Sequence, residues 1–324
     1  MKIVFHGHNA HSFRAGIEAR LPPGLSLVDL PDLLTDPADR AHYANAEVVV
    51  GVRLDASMPR PERARLFHTP AAGTDAIDMR WLPSACTVCN CFGHEYAIAE
   101  YVMAALLLRH VPLAQADADL RQQRWTFYAG HHNALRTELG DQTLGVLGFG
   151  HIGQAVAARA KAFGMRVHAV NRSPIRSTIV DRAFDLSALD AFMASVDIVV
   201  VTLPLADTTR SLVGRQALAA MRPDAVLVNV GRGAVVDELA LFDALQSGRL
   251  GSAIIDTWYQ YPDASRGACA PSQLDFASLP NVLMTPHMSG WTHGTVRRRQ
   301  QTLVDNITRL VRGEPLENVV RASA

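Results

Sequence analysis

Charge of one sign is the first thing this chain lacks. Its 31 lysines plus arginines balance 31 aspartates plus glutamates, a formal net charge of +0, so no global field draws it toward nucleic acid or an anionic membrane. No apolar run approaches the roughly 20 residues a helix needs to cross a bilayer. The N-terminus enters a strand-like run at once, Lys2-Ile3-Val4-Phe5, with no charged leader ahead of a signal-type apolar stretch, and a cytoplasmic enzyme is the expectation. Cysteine is scarce, at 4 residues. Cys86 and Cys89 have the opening of a zinc spacing, but no second cysteine pair or spaced histidine pair follows, so no metal site is expected. The stretch 87–91 reads instead as a buried strand carrying small thiols. His6, His8 and His11 cluster in a strand-to-loop segment, where a solvated or substrate-edge role fits better than a ligand set. The one basic run, Arg297-Arg298-Arg299, lies in a helix-like segment and reads as a solvated face. No tandem repeat of short period is present.

What is present is enough chain for two cores: 324 residues, 48% hydrophobic and 19% charged, the balance of a compact enzyme. Strand-like runs at 2–5, 25–30, 47–52, 65–69 and 87–91 alternate with helix-like segments and Pro-rich turns, the βαβ rhythm of a parallel sheet. The pattern changes near Glu95. Residues 97–119 read as one long helix rich in alanine and leucine, apolar nearly all round, as for a helix buried between domains. A second α/β unit starts at Gln142, with strands at 143–147, 166–170, 198–203, 225–230, 253–256 and 282–285 and a helix at 154–163. A closing helix spans 295–311. The expected organisation is a first domain of residues 1–96 plus 288–324 around a second of residues 97–287.

Gly148-Phe149-Gly150-His151-Ile152-Gly153 follows a strand and opens a helix, the context that gives a G-x-G-x-x-G run its meaning. The first glycine permits a tight turn, the second lets backbone approach a pyrophosphate, and the third allows close helix–strand packing. The helix N-terminus then stabilises the phosphate charge. The residue ending the next strand chooses between cofactors, because an acid there bonds the ribose 2′-hydroxyl of NAD and repels a 2′-phosphate. This chain has Asn171-Arg172-Ser173. Neutral Asn171 removes the repulsion, Arg172 can pair with a phosphate and Ser173 can donate to it. NADP(H) is therefore the expected cofactor and NAD(H) the second choice, while Arg172 as a plain surface cation stays open.

Three further segments place an arginine, an acid and a histidine at the ends of apolar runs: Asn229-Val230-Gly231-Arg232-Gly233, Asp256 after Ile254-Ile255, and Thr285-Pro286-His287. Together they can supply an anion clamp, an orienting charge and a proton carrier, the groups that hydride transfer to a 2-oxo acid needs beside a nicotinamide. With the glycine fingerprint and Leu203-Pro204-Leu205, these motifs resemble the D-isomer-specific 2-hydroxyacid dehydrogenase family over essentially the whole chain. Ala72-Gly73-Thr74-Asp75 and Asn90-Cys91-Phe92-Gly93 extend the resemblance. It implies an α/β architecture of two Rossmann-like domains, one flavodoxin-like and one NAD(P)-binding, with parallel sheets, the active site in the cleft between them, and a homodimer formed through the cofactor domain.

The resemblance also assigns roles. Arg232 would hold the substrate carboxylate and polarise the ketone, for which a guanidinium fork is suited; a structural turn arginine is the alternative. Backbone N–H groups around Ala72, Gly73 and Thr74 would cradle the carboxylate. His287 would protonate the carbonyl oxygen in reduction and take the proton back in oxidation; a domain-boundary hydrogen bonder is its alternative. Asp256 would lie near the nicotinamide, or else act as a strand-end cap. Leu203, Pro204, Thr209, Val230, Gly231, Arg232, Asp256, His287 and Gly290 would line the cofactor.

One position departs from the pattern. Where many members carry a glutamate paired with the histidine, this chain has Tyr261. A carboxylate favours imidazolium, whereas a neutral tyrosine can orient the ring without supplying charge, so a more acidic optimum for reduction is expected. Gln260, one position away, could take its place beside the histidine. Arg53 follows a strand and could reach a second anionic group, or stand as a solvated loop arginine. Trp125 and Trp291 could wall a pocket or pack. The expected substrate is a small 2-oxo acid such as glyoxylate or hydroxypyruvate. Two other readings remain: a catalytically weak nucleotide-sensing, corepressor-like protein on the same fold, and formate oxidation. The latter is suggested by His287-Met288-Ser289-Gly290 but opposed by His110, where formate dehydrogenases carry asparagine.

Overall fold

A computed structural model of the chain describes residues 1–130, 132, 135–262 and 267–323. In chain order the first elements are β1 (Lys2–His6), α1 (Gly7–His11), β2 (Ser26–Leu30), α2 (Pro37–Ala44), β3 (Val48–Val50), β4 (Leu66–His68) and β5 (Thr87–Cys89). Two helices follow, α3 (Glu95–His110) and α4 (Leu113–Arg121), and then β6 (Thr143–Leu147), α5 (His151–Ala162), β7 (Arg166–Val170), β8 (Arg182–Phe184) and α6 (Leu189–Ala194). The remainder runs β9 (Ile198–Val201), α7 (Arg215–Ala220), β10 (Val226–Asn229), α8 (Glu238–Gln246), β11 (Ser252–Ile255), β12 (Val282–Met284), α9 (His293–Arg312) and β13 (Val319–Arg321).

The chain divides into two compact units. One comprises Met1–His94, the described residues of Pro262–Ala268, and Trp291–Ala324 up to residue 323. Its sheet has the order β13-β5-β4-β3-β1-β2, parallel throughout except for β13, which pairs antiparallel with β5. The parallel part is the flavodoxin-like order. Strands such as Val48-Val49-Val50 are buried on both faces, which is why they read as unbroken β-branched runs. One face packs Phe67, Tyr43 and Leu54; the other packs Phe5, Phe13 and the inner residues of α9, Leu303, Val304 and Ile307. A buried polar tie holds α9 to β4 and to the segment entering β13. Asn306 Nδ2 donates to His68 Nε2 at 2.9 Å and to Glu317 O at 3.0 Å, while its Oδ1 accepts from Glu317 N at 2.8 Å. Burial lowers the His68 pKa to about 4, so this ring acts as a neutral acceptor.

The second unit comprises Glu95–Tyr261 and Cys269–Gly290. Its sheet is parallel throughout, in the order β12-β11-β10-β9-β6-β7-β8. Strand order reverses between β6 and β9, and a crevice at the carboxyl ends of the strands there is where doubly wound sheets take ligands. Side chains from α3 and α5 cover one face, and those from α6, α7 and α8 cover the other.

Several sequence expectations are corrected. The long helix expected over 97–119 is two helices bent by 48°, because Pro112 has no N–H to continue the ladder and its ring clashes with the preceding turn. No single helix among the described residues is long and apolar enough to cross a membrane. β8 and β13 escaped notice as edge strands of three residues with exposed positions. His6 is not solvated: it is 5% exposed, with its ring edge-on to Tyr43 at 5.1 Å. The basic run is only partly a solvated face, since Arg299 is buried and Arg298 Nε donates to Gly93 O at 2.7 Å. The strand thiols are buried as expected, and burial pushes Cys86 up to about 11 and Cys89 and Cys91 up to about 12.

Candidate active site

The turn after β6 gives each glycine of the fingerprint a different task. Gly148 has φ +100°, a conformation that L side chains rarely adopt, and Thr202 Oγ1 donates to its carbonyl at 2.6 Å. Gly150 caps α5 without any side-chain cap, and a Cβ there would meet nothing within 4 Å. Gly153 is the packing residue, for its Cβ would lie 2.2 Å from Gly148 O and 2.7 Å from Val146 Cγ1. Phe149 and Ile152 pack on the core of this unit, and His151 is exposed at the start of the helix. A helix N-terminus leaves its first backbone N–H groups without intrahelical partners. Open space over Gly150 allows an anion to reach them, so these residues fit a dinucleotide pyrophosphate.

At the end of β7, Asn171 is committed within the protein. Its Oδ1 accepts from Phe149 N at 3.3 Å and its Nδ2 donates to Ser173 O at 3.2 Å, tying the strand end to the glycine turn. Arg172 and Ser173 are exposed beside it, as is Arg176 further along the loop. The sequence reading passed over that second cation because it lies beyond the strand-end position that governs ribose recognition. Leu203 is buried and Pro204 exposed after β9. Thr209 folds this loop on itself, donating to Pro204 O at 2.7 Å and accepting from Ala206 N at 2.8 Å.

Arg232 sits in the turn after β10, and Asn229 shapes that turn from both sides. Asn229 is 1% exposed; its Oδ1 accepts from Gly231 N at 3.2 Å and its Nδ2 donates to Arg232 O at 3.1 Å. Val230 is buried, and a Cβ on Gly231 would lie 2.7 Å from Leu203 O. The turns after β9 and β10 therefore touch through backbone. Arg232 is half-buried and its Nη1 donates to Gly231 O at 3.0 Å.

Asp256 and His287 come together through one loop. Asp256, after β11, is 0% exposed. Its Oδ1 accepts from Thr285 Oγ1 at 2.5 Å and Met288 N at 2.9 Å, and its Oδ2 from Ser289 N at 2.9 Å. The carboxylate is thus the anchor of the segment that follows β12 and runs to Gly290. Trp258 Nε1 donates to Thr285 O at 2.8 Å, a second brace. Between these anchors His287 is exposed and has φ +58°, a left-handed backbone uncommon outside glycine that the braced loop imposes. Tyr261 lies beside it, with ring centroids 5.6 Å apart and planes at 52°, and its hydroxyl accepts from Trp258 N at 2.9 Å. Gln260 is held by its backbone N–H to Pro271 O at 2.9 Å. The arrangement gives Asp256 a holding role that the sequence offered only as the alternative of a strand-end cap. Its partners stand about 30 residues away in the chain, where no local pattern reveals them.

In the other unit, Ala72, Gly73 and Thr74 form a half-buried loop after β4. Asn90 Nδ2 donates to Ala72 O at 2.8 Å and Cys91 N to Ala71 O at 2.9 Å, so the Asn90-Cys91 pair sets the loop's path. Arg53 is ion-paired, Nε to Asp55 Oδ2 at 2.7 Å, with its side chain 60% exposed. Trp291 stands edge-on to Phe13, and Trp125, 66% exposed, stands edge-on to Tyr128. His110, at the position relevant to formate, bonds through Nδ1 to Thr137 Oγ1 at 2.7 Å, and burial lowers its pKa. No group of three or more potential metal ligands occurs among the described residues.

Comparison with known proteins points to one family. Residues 102–289 match the D-isomer specific 2-hydroxyacid dehydrogenase, NAD binding domain. The chain is 33% identical over 263 residues to a glyoxylate reductase of Aeropyrum pernix, covering 80% of this chain and 76% of that one. It is 32% identical over 266 residues to D-3-phosphoglycerate dehydrogenase of Methanocaldococcus jannaschii, covering 81% of this chain but 48% of that protein, about half its length. Among solved structures, the NADPH-dependent glyoxylate/hydroxypyruvate reductase of Sinorhizobium meliloti in complex with NADP and sulfate aligns with a TM-score of 0.78 and 26% identity, covering 98% of this chain and 97% of that one.

Proposed function

The chain belongs to the D-isomer specific 2-hydroxyacid dehydrogenase family, whose members are NAD(P)-dependent oxidoreductases acting on CH–OH donors, and from that premise we propose that it reduces a small, unphosphorylated 2-oxo acid to the D-2-hydroxy acid with NADPH. One observation carries the reading. The glycine turn, Leu203, Arg232, Asp256 and His287 follow β6, β9, β10, β11 and β12 in turn, so every expected chemical group of this unit lies at the carboxyl edge of one parallel sheet.

The nicotinamide, when bound, supplies the hydride to the substrate's carbonyl carbon. The chain's own residues do the rest. The α5 N-terminus and Gly150 hold the pyrophosphate. Arg232 clamps the substrate carboxylate and draws electron density from the ketone oxygen. His287 as imidazolium donates its proton to that oxygen and receives it back in the oxidative direction. The Ala72–Thr74 loop, which belongs to the other unit, offers backbone N–H groups of the kind that suit a carboxylate. Tyr261 keeps the His287 ring oriented without adding charge, and reduction therefore declines at lower pH than in relatives with a carboxylate at this position. Support for a small substrate comes from Arg53, whose guanidinium is already paired with Asp55. Support for NADPH comes from Asn171, which leaves the strand end without a carboxylate, and from the exposed Arg172.

The test is a panel of 2-oxo acids, glyoxylate and hydroxypyruvate among them, assayed with both reduced cofactors. Expected is a kcat/KM for NADPH at least about tenfold above that for NADH, reversed or levelled in Asn171→Asp with Arg172→Ala, since a charge-assisted pair of this kind is worth about 1.5–3 kcal/mol. Preference for NADH in the unaltered protein would overturn the cofactor assignment, and activity confined to phosphorylated acids would overturn the substrate class. Oxidation of formate, or NADPH binding without turnover of any acid, would favour the two other readings.

A homodimer through the cofactor unit is part of the same proposal. Leu113 and Leu120 share one face of α4, exposed by 67% and 52%, and Trp125 and Leu135 follow at 66% and 87%. Apolar exposure of this extent in one region marks an interaction surface. Light scattering should give twice the chain mass, and Leu113→Asp with Leu120→Asp should give the monomer; a monomeric unaltered protein excludes the dimer.

A further inference from the structure

The loop that carries His287 is held from a direction that the motif itself does not contain. Tyr101, on the second turn of α3 and half-buried, places its hydroxyl 2.7 Å from Thr285 Oγ1. Thr285 has a single hydroxyl proton, which goes to Asp256 Oδ1 at 2.5 Å. Tyr101 must therefore be the donor of the pair, and the chain runs in one sense, from Tyr101 O–H to Thr285 Oγ1 and from Thr285 O–H to the Asp256 carboxylate. Burial pushes the Tyr101 phenol up, with the Asp256 charge adding to that, so the donor keeps its proton throughout the working range. The platform is rigid: Val102, Met103, Ala105 and Leu106, the neighbours of Tyr101 on α3, are buried in the core that also receives Val156, Ala157 and Ala160 of α5.

We infer that Tyr101 is a positioning residue for the proton carrier, acting on His287 through Thr285 and Asp256. The physical need is plain. His287 is exposed and holds φ +58°, and it stands two residues from Thr285 and one from Met288. The anchors on either side fix that backbone. Thr285 fixes the entry with its hydroxyl, its N–H to Ile255 O at 3.0 Å and its carbonyl under Trp258. Met288 and Ser289 fix the exit on the two oxygens of Asp256. Of these ties, the Tyr101 bond alone reaches back to α3, the helix packed on α5. The glycine-turn helix and the His287 loop are thereby referred to one frame, as proton and hydride must reach neighbouring atoms.

The inference rests on His287 being the acid, and the experiment separates the two. Single-turnover oxidation of NADPH by the best 2-oxo acid is followed in Tyr101→Phe, Thr285→Val, Thr285→Ser and His287→Asn, each in H₂O and D₂O. Tyr101→Phe and Thr285→Val should slow the step about tenfold, the scale of a sub-ångström misplacement of a catalytic group, with the NADPH dissociation constant unchanged. The solvent isotope effect should rise in both, because a misplaced donor makes proton transfer more limiting; a loss of folded protein would lower the amplitude and leave the isotope effect alone. Thr285→Ser, which keeps the hydroxyl, should restore most of the rate lost in Thr285→Val. If Tyr101→Phe is recovered unfolded, Thr285→Val against Thr285→Ser decides by the same readings. An unchanged rate and isotope effect in Tyr101→Phe and Thr285→Val, with His287→Asn inactive, would overturn the inference alone. Full activity in His287→Asn would overturn the assignment of the acid, and this inference with it.

Discussion

His287→Asn should lower kcat for 2-oxo acid reduction by about 10²–10⁴-fold, the usual worth of a positioned general acid, while NADPH binding stays as it was. Asparagine is the substitution to use for a backbone reason. Residue 287 has φ +58°, and asparagine is among the few side chains that enter the left-handed region readily, so the loop keeps its path and only the proton is lost. The histidine is exposed, so no core packing is disturbed. Stopped-flow hydride transfer and an NADPH titration make the comparison; a loss under about tenfold would mean that another group supplies the proton. The neighbour refines the same expectation. Tyr261 stands 5.6 Å from the imidazole, ring to ring, and Tyr261→Glu would set a carboxylate there. An adjacent negative charge favours imidazolium, so the limb on which reduction fails should move to higher pH in that variant. A pH profile that stays in place would mean the neighbour does not govern the titration.

Asp256→Ala and Asp256→Asn should both lower stability together with activity, which distinguishes a holding carboxylate from one that acts by charge alone. The side chain is buried and takes three donors, Thr285 Oγ1, Met288 N and Ser289 N. Alanine strands those donors, and a buried donor left unmade costs about 1–3 kcal/mol. Asparagine repairs only part of this, since its amide nitrogen would face one of the N–H groups, donor against donor. We expect kcat to fall about 10²-fold in both, from misplacement of the His287 loop, and the melting temperature to fall in both. Kinetics with thermal denaturation check this. An Asp256→Asn variant with normal stability and a selective loss of kcat would show that charge, not holding, is what the residue contributes.

The two cases differ in what the sequence could tell. The glycine turn was legible because its requirements are local: residues 148, 150 and 153 meet one strand end and one helix start, and spacing encodes the turn, the approach and the packing. β6 and β7 were legible to the residue for a similar reason, as short runs rich in β-branched residues bounded by turns. The long helix was misread at a residue the sequence displays, Pro112, because alanine- and leucine-rich composition on both sides outweighed one breaker. β13 was invisible, since its pairing with β5 joins residues that lie 230 or more positions apart.

By itself the sequence determined the class of chemistry: an arginine, an acid and a histidine each ending an apolar run, a dinucleotide turn, and a tyrosine in place of a glutamate. Tertiary structure alone decided how those groups are held. It buried Asp256 and turned both of its oxygens to the His287 loop. It put residue 287 in a left-handed conformation, set the Tyr261 ring against the imidazole, and brought Tyr101 across 184 positions to Thr285. A side chain's type travels with the sequence, but its hydrogen-bond partners are fixed only when distant strand ends are brought to one edge of a sheet. Burial then makes each of those bonds obligatory.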